Sequence, residues 1–190
     1  MKDAESELVA RVKKGDMAAL EALYRKHVDR VWRYAWFRTH SREDAAEIVQ
    51  ETFLRVLRSI GEFEGRSSFT TWLHAIARSV AIDLARRERR HRSGSDPETT
   101  LRLVPPAAEA ATDVRDTQAE VREAVARLPA AQRDVIVLYE LLGFTIQDAM
   151  ETLGWGESRV KVTLFRARRE LRGILKGHLS GETGKRTGSK

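Results

Sequence analysis

From residue 69 to residue 84 the apolar side chains Phe69, Trp72, Leu73, Ile76, Ala77, Val80 and Leu84 recur in the i, i+3, i+4 pattern, with no Gly or Pro among them. A strand alternates with period two, so this pattern collects on one side of a chain only when the chain is an α-helix. A stripe this wide has to be covered by other helices. The chain then turns strongly basic at ARRERRHR. Ahead of it, Ile48, Val49, Phe53, Val56, Leu57 and Ile60 repeat the pattern, and Ser41 with Asp44 three residues later supplies an N-cap signature. The stretch AALEALYRKHVDRVWRYAWF, with Leu20, Leu23, Tyr24, Val28, Val31, Trp32 and Ala35 as its apolar side, suggests an earlier helical pair. Residues 1–92 are therefore expected to form an N-terminal helical bundle of three or four helices.

A change of composition ends that bundle. Residues 93–113, SGSDPETTLRLVPPAAEAATD, hold Pro97, Pro105 and Pro106 and more acidic than basic side chains, without an apolar period, which are the marks of a flexible linker. Residues 114–176 resume the helical pattern. A charged helix is expected over 114–127 and another from Pro129, where a first-turn proline costs no hydrogen bond, to about Leu142. Gly143 breaks the chain, Thr145 is placed to cap TIQDAMETL with Asp148 in its first turn, and Gly154 is placed to end that helix in the left-handed conformation. After a turn over 155–158, RVKVTLFRARRELRGIL sets Val160, Leu164, Ala167, Leu171 and Ile174 on one side. Arg159, Lys161, Arg166, Arg168, Arg169 and Arg172 fall largely on the others. A short helix, a Gly-containing turn and a basic helix make the helix-turn-helix plan, whose second helix can enter a major groove. The same plan occurs in purely structural bundles, so the motif alone leaves both readings open. Residues 177–190 are rich in Gly, Ser and Lys and are expected to be a disordered tail. The expected fold is all-α: two small helical domains, an N-terminal helical bundle and a C-terminal helix-turn-helix domain, joined by a flexible linker that lets them move apart.

Composition narrows the chemistry. A net charge of +6 and a pI of about 9.9 favour a polyanionic partner. The absence of cysteine excludes disulfides, Cys-ligated metal sites and a thiol nucleophile, and fits a reducing cytoplasm. No run approaches the roughly 18 apolar residues of a membrane span, and MKDAESELVARVKKGD is too polar for a secretory signal. His27, His40, His74, His91 and His178 never stand at the i, i+4 spacing of a helical metal pair, and no Gly-x-Ser-x-Gly signature occurs. The GKRT near the C-terminus lacks both the first Gly and the Ser or Thr of a phosphate loop. The carboxylates lie beside Arg and Lys on helix faces, as surface ion pairs do. Neither catalysis nor a metal or other cofactor is expected.

Two segments taken together resemble a known family. DAAEIVQETFLRVLRSIGEFEGRSSFTTWLHAIARSVAIDLARRERR, followed after the linker by ARLPAAQRDVIVLYELLGFTIQDAMETLGWGESRVKVTLFRARRELR, is similar to bacterial sigma factors of the extracytoplasmic-function (ECF) group of the sigma-70 family, over about residues 15–175. That resemblance implies a subunit that binds core RNA polymerase, directs it to promoter DNA and melts the −10 element, often under control of an anti-sigma factor. By position it implies core-polymerase contacts at Asp44, Glu47, Gln50 and Glu51. It implies −10 contacts at Arg66, Ser67, Ser68, Trp72, Arg78, Ser79, Asp83, Arg86 and Arg87, with the loop 63–69 capturing an extruded base. Trp72 lies on the apolar stripe, so core packing competes with base stacking there.

The chain also departs from the family pattern. Ser79 stands where Asn is common, which shortens a base-reading side chain, and Ala149 and Met150 exchange a large and a small residue near a helix crossing. Val162 and Thr163 stand where Ser and Arg are common, leaving Arg159, Lys161 and Arg166 as the −35 candidates. These departures keep a second reading open, a sigma-like interaction protein that binds an anti-sigma factor or another regulator without initiating transcription.

Overall fold

The computed structural model describes residues 2–91 and 112–183, and among them every regular element is helical. Residues 92–111, most of the expected linker, and 184–190, with the GKRT sequence, lie outside the described residues.

The first domain contains α1 (Lys2–Lys13), α2 (Met17–Thr39), α3 (Arg42–Ser59), a 3₁₀ turn (Ile60–Glu62) and α4 (Phe69–His91). The expected helical pair over AALEALYRKHVDRVWRYAWF is one continuous helix, α2, because nothing in it breaks the hydrogen-bond ladder. Asp16 caps its start, accepting from the Ala19 amide at 3.1 Å. His40 ends it in the left-handed conformation (φ 61°), a position that glycine fills most cheaply, and its amide bonds to the Trp36 carbonyl. The partner helix is α1, whose Val9 and Val12 are buried, with Leu8 partly buried against the same core. Ser41 caps α3 as expected, accepting from the Asp44 amide at 3.1 Å, and Ser68 accepts from the Thr71 amide at the start of α4. Leu23, Val31, Tyr34, Ile48, Val56, Leu73, Ala77 and Val80 form the core. Leu57, on the expected apolar side of α3, instead stands 43% exposed.

The second domain contains α5 (Thr112–Ala126), α6 (Ala130–Ile136), α7 (Ile146–Leu153) and α8 (Glu157–Thr183). Pro129 is the residue before α6 and not its first, a shift of one position from expectation. α6 widens into a π-helical turn, Val137–Leu141, where the Leu142 amide reaches back five residues to the Val137 carbonyl. Gly143 (φ 68°) then turns the chain. α7 starts on a complete capping box, with the Thr145 side chain accepting from the Asp148 amide and the Asp148 carboxylate accepting from the Thr145 amide, and stops at Gly154 (φ 65°). Val160, Leu164 and Ala167 of α8 pack on Val135, Leu138, Ala149 and Leu153. The helix continues to Thr183, past the boundary at residue 176, with no proline after Pro129 to stop it.

The two domains are packed together. α4 lies along α7, and Phe144 sits edge-on to the ring of His74 with centroids 4.9 Å apart. Arg30 and Arg33 of α2 donate to the Leu142 and Leu141 carbonyls at 2.6 and 3.0 Å, satisfying acceptors that the π turn leaves at a helix C-terminus. Arg133 does the same in the other direction. Its guanidinium donates to the Ala126 and Leu128 carbonyls at the end of α5 and to the Arg38 carbonyl at the end of α2.

Candidate nucleic-acid interface

A cleft of about 290 Å³ opens at the N-terminal end of α4, lined by Glu62, Phe63, Glu64, Gly65, Arg66, Ser67 and Trp72. Gly65 makes this loop possible, since its φ of 73° is costly for any residue with a Cβ, and the space where that Cβ would stand is open. Lys13 of α1 donates to the Phe63 carbonyl and braces the loop from behind. Phe63, Phe69 and Trp72 form an aromatic cluster with centroids 5.0 to 5.9 Å apart. Trp72 packs on two phenylalanines, as its place on the apolar stripe predicts, and also lines the cleft. Arg66 is exposed beside the opening and pairs with Glu64. Ser68 is exposed, and its hydroxyl lies 2.7 Å from that of Thr71.

Beyond the cleft, Ser79, Arg86 and Arg87 are exposed along α4. Asp83 is tied to Arg55 of α3 at 3.0 Å, and Arg87 to Glu47 at 3.3 Å. Candidates for the polymerase surface and for the −10 surface thus share ion pairs across the α3–α4 edge. Glu51 pairs with Arg55 one turn on, Gln50 is exposed, and Asp44 is partly covered at the start of α3. Sequence reasoning missed Leu54 and Tyr24, which are 39% and 40% exposed beside this acidic face. For Leu54 the usable signal was a position off the core stripe of α3 with a second exposed apolar residue, Leu57, three residues on, whereas Tyr24 belongs to the apolar side of α2 and is simply left uncovered there.

α8 carries the −35 candidates. Arg159, Lys161 and Arg166 are all exposed. Arg159 stacks over the Trp155 ring at 4.2 Å, and Lys161 pairs with Glu157 at 2.5 Å. Phe165 and Val162 stand 66% and 48% exposed on the same helix, again off the core stripe, and were not singled out as site residues from sequence. Ala149 is fully buried and Met150 only partly so, packed against the core, so the exchanged pair is accommodated within the helix-turn-helix unit.

Arg78 behaves differently from the other −10 candidates. It points into the seam between the domains, where its Nε lies 3.2 Å from Asp134 and its guanidinium 5.8 Å from the Trp155 ring. The Asp134 carboxylate also meets Arg38 at 2.7 Å and accepts from the Tyr34 hydroxyl at 3.3 Å. Burial, reinforced by the Asp134 charge, pushes the Tyr34 hydroxyl pKa well up, which keeps it a proton donor. A second carboxylate, Asp148, accepts from Thr71 at 3.1 Å. Its own burial works to raise its pKa, but hydrogen bonds from Thr145 and Thr71 and the nearby Arg30 together hold it below the usual carboxylate range. His74 is pushed down to about 4, first by burial and then by Arg30, against a hydrogen bond to the Thr70 carbonyl. His40 is likewise lowered to about 4 by burial and by Arg133, Arg122 and Arg38. Among the described residues no group of three or more His, Asp or Glu is arranged to hold a metal, and no helix is long and apolar enough to cross a membrane.

This architecture coincides with two family matches. Residues 23–91 match the family model for Sigma-70 region 2, and residues 118–171 that for Sigma-70, region 4. The chain is 32% identical over 177 residues to the ECF RNA polymerase sigma factor SigM of Mycobacterium tuberculosis, covering 93% of this chain and 87% of that protein. It is 33% identical over 165 residues to the ECF RNA polymerase sigma factor SigX of Bacillus subtilis, covering 80% and 81%. The chain belongs to the sigma-70 family, within its ECF group. Among solved structures, CnrH in complex with the cytosolic domain of CnrY shares the fold with a TM-score of 0.71 at 23% identity, over 92% of this chain and 98% of that one. The sigma factor RpoE in complex with the anti-sigma factor NepR from Bartonella quintana shares it at 0.64 and 24%, over 82% and 96%.

Proposed function

We propose that this chain is an alternative sigma factor that docks on core RNA polymerase through α3, opens a promoter at its −10 element with the loop and α4 of the first domain, and reads the −35 element with α8. The observation that carries this reading is the cleft at residues 62–67. It combines a left-handed Gly65, an exposed guanidinium at Arg66, a hydroxyl at Ser67 and an aromatic edge at Trp72. Those are the parts needed to hold a flipped base: close backbone approach, donors for the base edge and a stacking surface. Flipping itself costs a few kcal/mol. Exposed Arg86 and Arg87 continue the basic track along α4 for the backbone. On α8, Arg159 and Arg166 offer forked donors for guanine edges or phosphates, with Val162 and Phe165 between them as apolar surface for thymine methyl groups.

Asp44, Glu47, Gln50 and Glu51, beside exposed Leu54 and Leu57, supply a polar rim around an apolar patch, the composition of a protein-docking face. The solved complexes of similar fold hold CnrY and the anti-sigma factor NepR, and on that ground an anti-sigma factor is the expected regulator here. The site of action is the cytoplasm. Run-off transcription with purified core polymerase on the DNA upstream of the chain's own coding sequence is the test. A discrete product that depends on the chain supports the reading, whereas core binding without any product on this template or on a promoter library favours the interaction-protein alternative.

A further inference from the structure

The seam between the domains holds the most enclosed ion cluster described in the molecule. Arg38 and Tyr34, one turn apart on α2, and Arg78 on α4 converge on the carboxylate of Asp134, which α6 of the second domain delivers. The side chains of Asp134, Arg38 and Arg78 are only 3%, 12% and 22% exposed. Two guanidinium groups thus face one carboxylate, so the first-domain side of the cluster carries one positive charge more than Asp134 cancels. The Arg78 Nε–H and the Tyr34 hydroxyl donate to the two carboxylate oxygens, and the Arg38 guanidinium lies against one of them without a hydrogen bond from its Nε; a phosphodiester, which also presents a pair of oxygens sharing one negative charge, suits the same groups.

We propose that Asp134 is an internal competitor of nucleic acid: in the closed chain its carboxylate occupies a phosphate-binding site made by Arg38, Arg78 and Tyr34, and separation of the domains hands that site to the backbone of the promoter strand. The inference rests on reading the first domain as the −10 binding domain, and it adds Arg38 and Tyr34 to the DNA-facing set. Three further contacts act in the same sense. Trp155 covers the Arg78 guanidinium, Asp148 takes the Thr71 hydroxyl that also meets Ser68, and the Thr152 hydroxyl donates to the Thr71 carbonyl. The second domain therefore sits on the side of α4 that continues from the base cleft. Because the cluster is enclosed, salt screens it far less than it screens exposed charges such as the Glu47–Arg87 pair.

The test uses the full chain without polymerase. Cysteines introduced as Arg58→Cys and Glu151→Cys at exposed sites of a cysteine-free protein carry distance labels. An oligodeoxythymidine single strand reports phosphate binding by fluorescence anisotropy. Asp134→Asn keeps the shape and removes the charge. It is expected to lengthen and broaden the label distance and, if the closed form holds about nine-tenths of the chain, to raise oligonucleotide affinity about tenfold. Adding Arg78→Ala to that variant is expected to abolish the gain. Arg38→Gln, made from the opposite side of the seam, is expected to lengthen the distance as well, which guards against a folding defect peculiar to α6. An unchanged distance in both folded variants overturns the latch. A longer distance with unchanged affinity, or a gain that survives Arg78→Ala, overturns the competitor role. Both readouts are taken without core polymerase, so they decide the proposal whatever the run-off assay says about sigma activity.

Discussion

The α3–α4 edge and the interdomain seam use the same residue types for opposite ends. At the edge, Glu47 and Arg87 meet at 3.3 Å with both side chains nearly half exposed, and Arg55 links Glu51 to Asp83 at about one-third exposure. Exposed pairs of this kind contribute about 0–1 kcal/mol and exchange readily with water or with a partner's charges. At the seam, the charges around Asp134 are removed from water, so removing one member leaves the others desolvated and uncompensated. The difference separates a surface that can trade partners from a contact that specifies one arrangement of the chain.

The strongest way to break the comparison is to empty the seam. Asp134→Ala should disfavour the closed arrangement by about 3–5 kcal/mol relative to the open folded chain, read as a shift to the longer distance between labels at residues 58 and 151, because it strands Arg38 and Arg78. A loss below 1 kcal/mol would mean that the seam is no different from the edge.

Acid probes the same seam without mutation. His74 is fully buried between Tyr34 and Phe144, faces Arg30 and His27 from α2, and titrates near 4 when folded against about 6.5 when unfolded. The unfolded or opened chain therefore binds the proton more tightly. The stability is complete above about pH 6.5 and is lost progressively as pH falls toward 4, by about 3 kcal/mol at most. Thermal melting across that range should show the decline, and His74→Gln should make it shallower, with His40, also lowered to about 4, supplying part of what remains; equal slopes in both proteins would assign the titration elsewhere.

A local device should matter less than either. Thr145→Ala removes one half of the α7 capping box and should cost about 1 kcal/mol by chemical denaturation. The cost should exceed that value if Asp148, released from Thr145, also loosens its hold on Thr71. Smallest in stability is the edge itself. Glu47→Lys together with Gln50→Ala should change the urea midpoint by no more than about 1 kcal/mol, yet weaken core-polymerase binding measured by fluorescence titration. Unchanged affinity in the folded double variant would remove α3 from the docking surface.

What could be read from the chain alone was whatever neighbours in sequence decide. Ser41, Thr145 and Gly154 act on amides or carbonyls within four residues, and the stripe on α4 needs only its own period, so caps and helices followed from local chemistry. The loop at the cleft was singled out, over residues 63–69, through the family resemblance, and its lining, residues 62–67 with Trp72, is again one short segment. The seam was not. Asp134 reads locally as one acid on a short helix, and its partners lie 56, 96 and 100 positions away at Arg78, Arg38 and Tyr34. Arg78 was legible as a basic residue on α4, but only packing of α6 against α2 and α4 put a carboxylate on it. Leu57 was misjudged for the complementary reason: period places a residue on a side of its helix, and whether anything covers that side depends on where the other helices lie. Local hydrogen bonds and periodicity therefore determined the elements. The tertiary structure alone decided which charges lost their water, because desolvation depends on what is packed opposite and not on the order of residues along the chain.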